Sequence, residues 1–116
     1  MPILDKNEAD INERYPGVHR WQVVDGNKGA DGLSVGHLVF DPESTVPTHV
    51  HPTEEAMVLL DGELEAVLGD EVTPVKAGQT VLAPAGVKHG FVNRSGKQAT
   101  LMAIFPTPEV EITLVE

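Results

Sequence analysis

Gly or Pro interrupts this chain every several residues after Pro16, and the pieces between the breaks are too short to be the helices of a bundle. Segments 18–24, 33–40, 45–51, 55–60, 63–68, 72–76, 79–83, 87–93, 98–105 and 109–115 are apolar or alternate apolar with polar, and Val and Thr are frequent in them. Many short strands at this spacing fold into a sandwich, jelly roll or barrel, so the chain reads as all-β. Asp61-Gly62 lies between Met57-Val58-Leu59-Leu60 and Glu63-Leu64-Glu65-Ala66-Val67. Both residues tolerate the positive φ of a type I′ turn, and the pattern predicts a two-residue hairpin. Pro74 confines its strand to an edge or a bulge. Residues 5–14 alone look helical, as one turn capped by Asp5 and running toward Ile11 before Pro16-Gly17 ends it.

A chain of 116 residues is the natural size of one domain, here expected to span 1–116 with its barrel core from about 18 to 115. Eight Lys+Arg stand against 18 Asp+Glu, a formal charge of −10. Such a chain repels phosphate backbones and anionic lipid, which argues against nucleic acid or a membrane surface as the main partner and leaves small neutral or cationic ligands or a bound metal ion. There is no Cys, so thiolate metal sites and cysteine nucleophiles are excluded. Met1-Pro2-Ile3-Leu4-Asp5-Lys6 lacks a secretory pattern and no apolar run is long enough to span a bilayer. A cytoplasmic location is the expectation.

Three of the five His residues have a patterned setting. In Thr48-His49-Val50-His51-Pro52-Thr53-Glu54-Glu55 the strand period of two puts His49 and His51 on one face. Glu55 follows across a short corner and shares a face with Met57 and Leu59. His89 comes just after Pro84-Ala85-Gly86 and shares a face with Phe91 and Asn93. Three imidazoles and a carboxylate suit one divalent ion such as Fe, Mn, Ni, Zn or Cu, with a position left open for a reacting ligand. Taken singly, a His-x-His pair is more often a surface or hydrogen-bonded pair, and Glu54-Glu55 more often solvated charge. Here the pieces arrive together.

The pattern resembles the cupin superfamily, in its small single-domain form. The first cupin motif is matched by His49, His51, Glu55 and Gly62, and the second by Gly78, Pro84, Gly86, His89 and Asn93. The one departure is Glu43, where the family has a leading Gly; it puts the turn type at Pro42-Glu43-Ser44 in question. The resemblance implies a double-stranded β-helix, or jelly-roll barrel, with His49, His51, Glu55 and His89 as metal ligands at its mouth. It also leaves Asn93 to fasten the end of its strand.

Met57 and Phe91, on the ligands' faces, are the candidate substrate-pocket walls, although both are core residues first. Leu59, Met102, Ile104 and Phe105 are read as core. His37 is read as facing solvent and His19 as lying away from the metal. Arg20 is read first as a solvated side chain and second as a cation for an anionic substrate. Tyr15, the only Tyr, precedes the barrel, which weakens a lyase reading built on a tyrosine base. With a divalent ion the ligand set sums to about +1, favouring an oxygen-rich, anionic or enolisable ligand. Two functions follow. One is a metal-dependent dioxygenase or related oxidoreductase, in which Glu55 has a catalytic part, either releasing the ion or taking a proton, with O2-independent isomerase or lyase chemistry as a variant. The other is a metal or sugar-like ligand-binding module without turnover. The alternating 110–114 segment reads as an exposed edge strand and points to a homodimer. Metal binding should weaken below about pH 6, because a coordinating imidazole must be deprotonated.

Overall fold

A computed structural model describes residues 2–110, 113 and 114. Eleven strands follow in chain order: β1 (Asp10–Tyr15), β2 (Val18–Val24), β3 (Ser34–Phe40), β4 (Thr45–Val50), β5 (Glu55–Asp61), β6 (Glu63–Leu68), β7 (Glu71–Lys76), β8 (Thr80–Ala83), β9 (His89–Val92), β10 (Ala99–Phe105) and β11 (Thr113–Leu114). They form two antiparallel sheets, β1-β2-β3-β10-β5-β8 and β11-β4-β9-β6-β7, packed face to face in the jelly-roll arrangement. No helix among the described residues is long and apolar enough to cross a membrane.

Alternation in the sequence becomes alternation in space. Along β3, Ser34, Gly36, Leu38 and Phe40 are buried and the residues between them are not; β10 repeats this with Ala99, Leu101, Ala103 and Phe105. With Met57, Leu59, Leu64, Ala66 and Phe91 these make one core between the sheets. Phe40 and Phe91 meet edge to face at 6.1 Å. Met102 and Ile104, expected in the core, lie on the outer side of β10 and are only partly buried.

Three local expectations need correction. Asp61-Gly62 is not a hairpin: β5 and β6 lie in different sheets, so the chain crosses from one to the other there. Gly62 has φ +82°, whereas Asp61 does not have the positive φ a type I′ turn demands. Both flanking strands can point their apolar residues at a common core from opposite sides, so the pattern fits either pairing. Residues 5–14 contain only a 3-10 turn at Lys6–Glu8, capped by Asp5, whose side chain accepts from the Asn7 amide at 2.9 Å. Residues from Asp10 onward instead form β1, paired with β2. The third correction concerns Tyr15, which ends that strand inside the assembly of sheets and not ahead of it. Pro74 does lie in β7 at a sheet edge. At the other edge β11 pairs with β4; residues 111 and 112 of the expected terminal strand lie outside the described residues.

Glu43 explains the one motif departure. Its φ is 67°, the only positive φ of a non-glycine among the described residues. The turn a glycine would make is kept, with a side chain in a conformation that L residues disfavour.

Candidate metal centre

The centre is assembled from both sheets. His49 and His89 are register partners on β4 and β9, His51 follows two residues after His49, and Glu55 opens β5 in the opposite sheet. All four are buried, and one ligand atom from each lies within 4.8 Å of the others. The three imidazole rings have centroids 4.4 to 5.2 Å apart. The structure thus brings together all four residues singled out as metal ligands.

Backbone carbonyls orient two of the rings. His49 Nδ1 lies 2.8 Å from the Pro47 carbonyl and His89 Nδ1 3.0 Å from that of Val87. A carbonyl only accepts, so each Nδ1 carries a proton; in His49 this leaves the Nε2 lone pair to turn to the centre, whereas His89 Nε2 faces the Glu55 carboxylate. Glu55 Oε1 sits 2.7 Å from His89 Nε2 and 3.4 Å from His51 Nε2. Burial would raise the Glu55 pKa, but the two imidazoles beside it outweigh burial and hold the carboxyl below its usual range. Burial would likewise lower the His89 pKa, but the hydrogen bond and charge of Glu55 and the Val87 carbonyl raise it. His49 goes the other way: burial, aided by the charges of His89 and His51, brings its pKa to about 4 despite the Pro47 carbonyl. A His49 nitrogen held neutral therefore stands beside a His89–Glu55 hydrogen bond that favours the charged form of each partner. A set of nitrogen and carboxylate oxygen donors converging this closely fits one borderline divalent ion.

The four residues line a cavity of about 410 Å³. Met57 and Phe91, the expected pocket walls, line it, and so do Leu101 and Phe105. Phe105 packs edge-on against His51, ring centroids 4.9 Å apart. Two further cavity residues depart from the sequence reading. Arg20, read first as solvated, is half-buried and lines the cavity, as does Tyr15. The sequence held a signal for Arg20: in β2 it shares the inward face with buried Val18.

The other imidazoles lie elsewhere, as expected. His37 is on the outer side of β3 against Trp21, centroids 5.8 Å apart, and His19 pairs with Asp41 at 2.8 Å. Asn93 is fully buried away from the cavity, fastening backbone.

The comparisons with known proteins agree with this geometry. The polyketide synthase CurC of Streptomyces cyaneus is 27% identical over 101 residues, covering 86% of this chain and 66% of its own. The solved structure of the polyketide cyclase RemF from Streptomyces resistomycificus superposes with a TM-score of 0.87 at 23% identity, covering 100% of this chain and 86% of that one; identity this low shows a shared fold. An oxalate oxidase structure gives a TM-score of 0.80 at 25% identity, covering 96% of this chain and 62% of that one. The chain thus spans somewhat less than two thirds of CurC and of the oxidase. The family model described as "Cupin domain" matches residues 36–105, the stretch that holds all four converging side chains, and this chain belongs to the cupin family.

Proposed function

We propose that His49, His51, Glu55 and His89 hold one divalent transition metal (Fe, Mn, Ni, Zn or Cu) and that the site acts as an oxidoreductase of the dioxygenase type on a small oxygenated substrate, enolisable or anionic. The observation that carries this reading is the convergence of four ligand atoms within 4.8 Å beside a cavity of about 410 Å³. A metal that serves only structure is enclosed by its ligands, whereas this cluster borders space for a second molecule. When bound, the ion supplies Lewis-acid polarisation of substrate oxygens.

The chain's own residues account for the rest. Glu55, ionised and next to two imidazoles, is placed to accept a proton from an acidic C–H or O–H in the cavity. Met57, Phe91 and Phe105 give the cavity an apolar wall that excludes water and grips a carbon skeleton. The likeness to an oxalate oxidase supports redox chemistry on a small oxygenated acid.

A second reading, turnover without O2, is favoured by a different observation: CurC and RemF carry polyketide names, and Tyr15 reaches the cavity after all. Elemental analysis of the purified protein, then O2 uptake with diketones, catechols and flavonol-like compounds after anaerobic Fe(II), Mn(II) or Ni(II) loading, separates the readings. O2 consumption coupled to substrate loss supports the first. Substrate loss without O2 uptake moves the assignment to the second, and ligand binding with no turnover under any metal makes the protein a binding module. The β11 edge is also proposed to pair two copies into a homodimer, which a light-scattering mass equal to the monomer would overturn.

A further inference from the structure

We propose that the cavity contains an anion subsite formed by the Arg20 guanidinium and completed by the Tyr15 hydroxyl, so that the substrate is a carboxylate. This rests on the reading above for the metal cluster and adds the substrate class of the same cavity.

Arg20 is placed by a vacated side chain. It lies across Gly36 of the neighbouring strand, where a Cβ would stand 2.7 Å from Nη2 and 2.9 Å from both Cζ and Nε. Gly36 does not have a positive φ, so the backbone there does not call for glycine; the guanidinium does. Gln22, next on the same inward face, accepts from Arg20 Nε through Oε1 at 2.9 Å and fixes that edge of the group. The Phe105 ring neighbours both the cation and the four-residue cluster, with Arg20 Cζ 5.9 Å and the His51 ring 4.9 Å from its centroid.

What Arg20 lacks is equally informative. Among the described residues no carboxylate forms an ion pair with it, and Nε alone of its nitrogens has a hydrogen-bond partner. The charge of Glu55 acts on it only from beyond ion-pair contact, and a half-buried guanidinium with no carboxylate against it is expensive to keep. Its remaining donors form the planar fork that matches a carboxylate. Beside it, the Tyr15 hydroxyl is buried, lines the same cavity and has no hydrogen-bond partner among the described residues. A ligand oxygen held by Arg20 would satisfy it. Asp10, Asp25 and Glu109 also line the cavity, and the chain carries −10, so the overall field does not draw anions in. Of the two arginines that line the cavity, Arg14 is exposed and Arg20 half-buried, so recognition of an anion here centres on Arg20.

The probe is benzoate against the neutral isostere benzamide, titrated by calorimetry into metal-free protein so that no ion takes part. Benzoate is expected to bind at about millimolar strength and benzamide at least about tenfold more weakly. Arg20→Met should weaken benzoate about tenfold or more, and Tyr15→Phe should weaken it severalfold, while Zn(II) affinity in both variants stays at the wild-type value. Tyr15→Phe preserves shape and keeps the test decisive if Arg20→Met does not fold. Equal binding of benzoate and benzamide, or wild-type benzoate affinity in either variant, overturns the subsite. Failure of the wild-type protein to bind Zn(II), with benzoate discrimination intact, would instead overturn the metal reading and leave the subsite standing.

Discussion

Two buried polar clusters stand at the two ends of β9 and make opposite use of burial. At one end Asn93, 0% exposed, spends every polar atom on its own chain. Its Nδ2 donates to the carbonyls of Phe40, Asp41 and Lys97 at 3.2, 3.1 and 2.7 Å, and its Oδ1 accepts from the Ser95 amide and hydroxyl at 3.1 and 2.8 Å. At the other end His89, 2% exposed, points with His49, His51 and Glu55 at a shared locus beside a cavity. Burial alone therefore does not mark a functional group. Closure onto backbone marks a fastener, and convergence of side chains on one locus beside open space marks a site.

The contrast is broken or sharpened most strongly by mutation at each end. His89→Ala and His51→Ala should remove metal from the purified protein while a β-type circular dichroism spectrum persists; unchanged metal content in both would end the assignment. Asn93→Ala should do the reverse, destabilising by about 3 kcal/mol in denaturant titrations because the buried Phe40 carbonyl and four part-buried bonds lose their partner. Folded Asn93→Ala protein should bind metal as the wild type does, and a large loss of affinity there would erase the distinction. Next in size is pH. His89 holds its proton to higher pH than an ordinary imidazole, and protonated His cannot coordinate. Metal affinity should thus begin to fall already above pH 6.5, by about tenfold per unit as pH drops, a higher onset than the sequence alone suggests. A pH-independent affinity between 8 and 6 would contradict the His89–Glu55 pairing.

Smaller effects belong to the fastener end. Glu43→Gly should stabilise by about 1 kcal/mol by relieving the positive φ, with metal content unchanged. Destabilisation by this change would show that the Glu43 side chain contributes something beyond its turn. Smallest is the half-buried His19–Asp41 pair at the surface. The Asp41 hydrogen bond raises the His19 pKa, and the His19 hydrogen bond, then that from Gln98, lowers that of Asp41. The His19 contribution to stability is full below pH 6.5 and fades as pH rises through its raised folded value; the Asp41 contribution is present above the ordinary carboxylate range and lost as pH falls through its lowered value. An NMR titration should find His19 above 6.5, and Asp41→Asn should return it toward that value.

Several features were legible because they are local. Strand alternation placed His49 and His51 on one face, spacing put Glu55 at the start of the next strand, and Pro74 went to an edge, each from geometry spanning a few residues. Less legible were elements whose state depends on a distant partner. Asp10–Tyr15 is polar and reads as a poor strand, yet β2 offers it an edge to pair with. Asp61-Gly62 says that the chain turns and not which strand follows beside it. Arg20 and Tyr15 looked external because charge and chain position suggested it, whereas the wall of a cavity accepts polar groups that a packed core rejects.

By itself, then, the sequence determined the all-β class, most of the strand segments and the shared face of His49 and His51, because a period of two and short turn motifs act within one stretch of backbone; that His89 and Glu55 join them was implied by the resemblance to the cupin motifs. Only the tertiary structure decided that β5 and β6 part into separate sheets, that β1 joins the assembly, and that Arg20 and Tyr15 face the same cavity as the donors. Those outcomes come from pairing and enclosure between segments far apart in the chain, and no local pattern encodes which distant surface a side chain will meet.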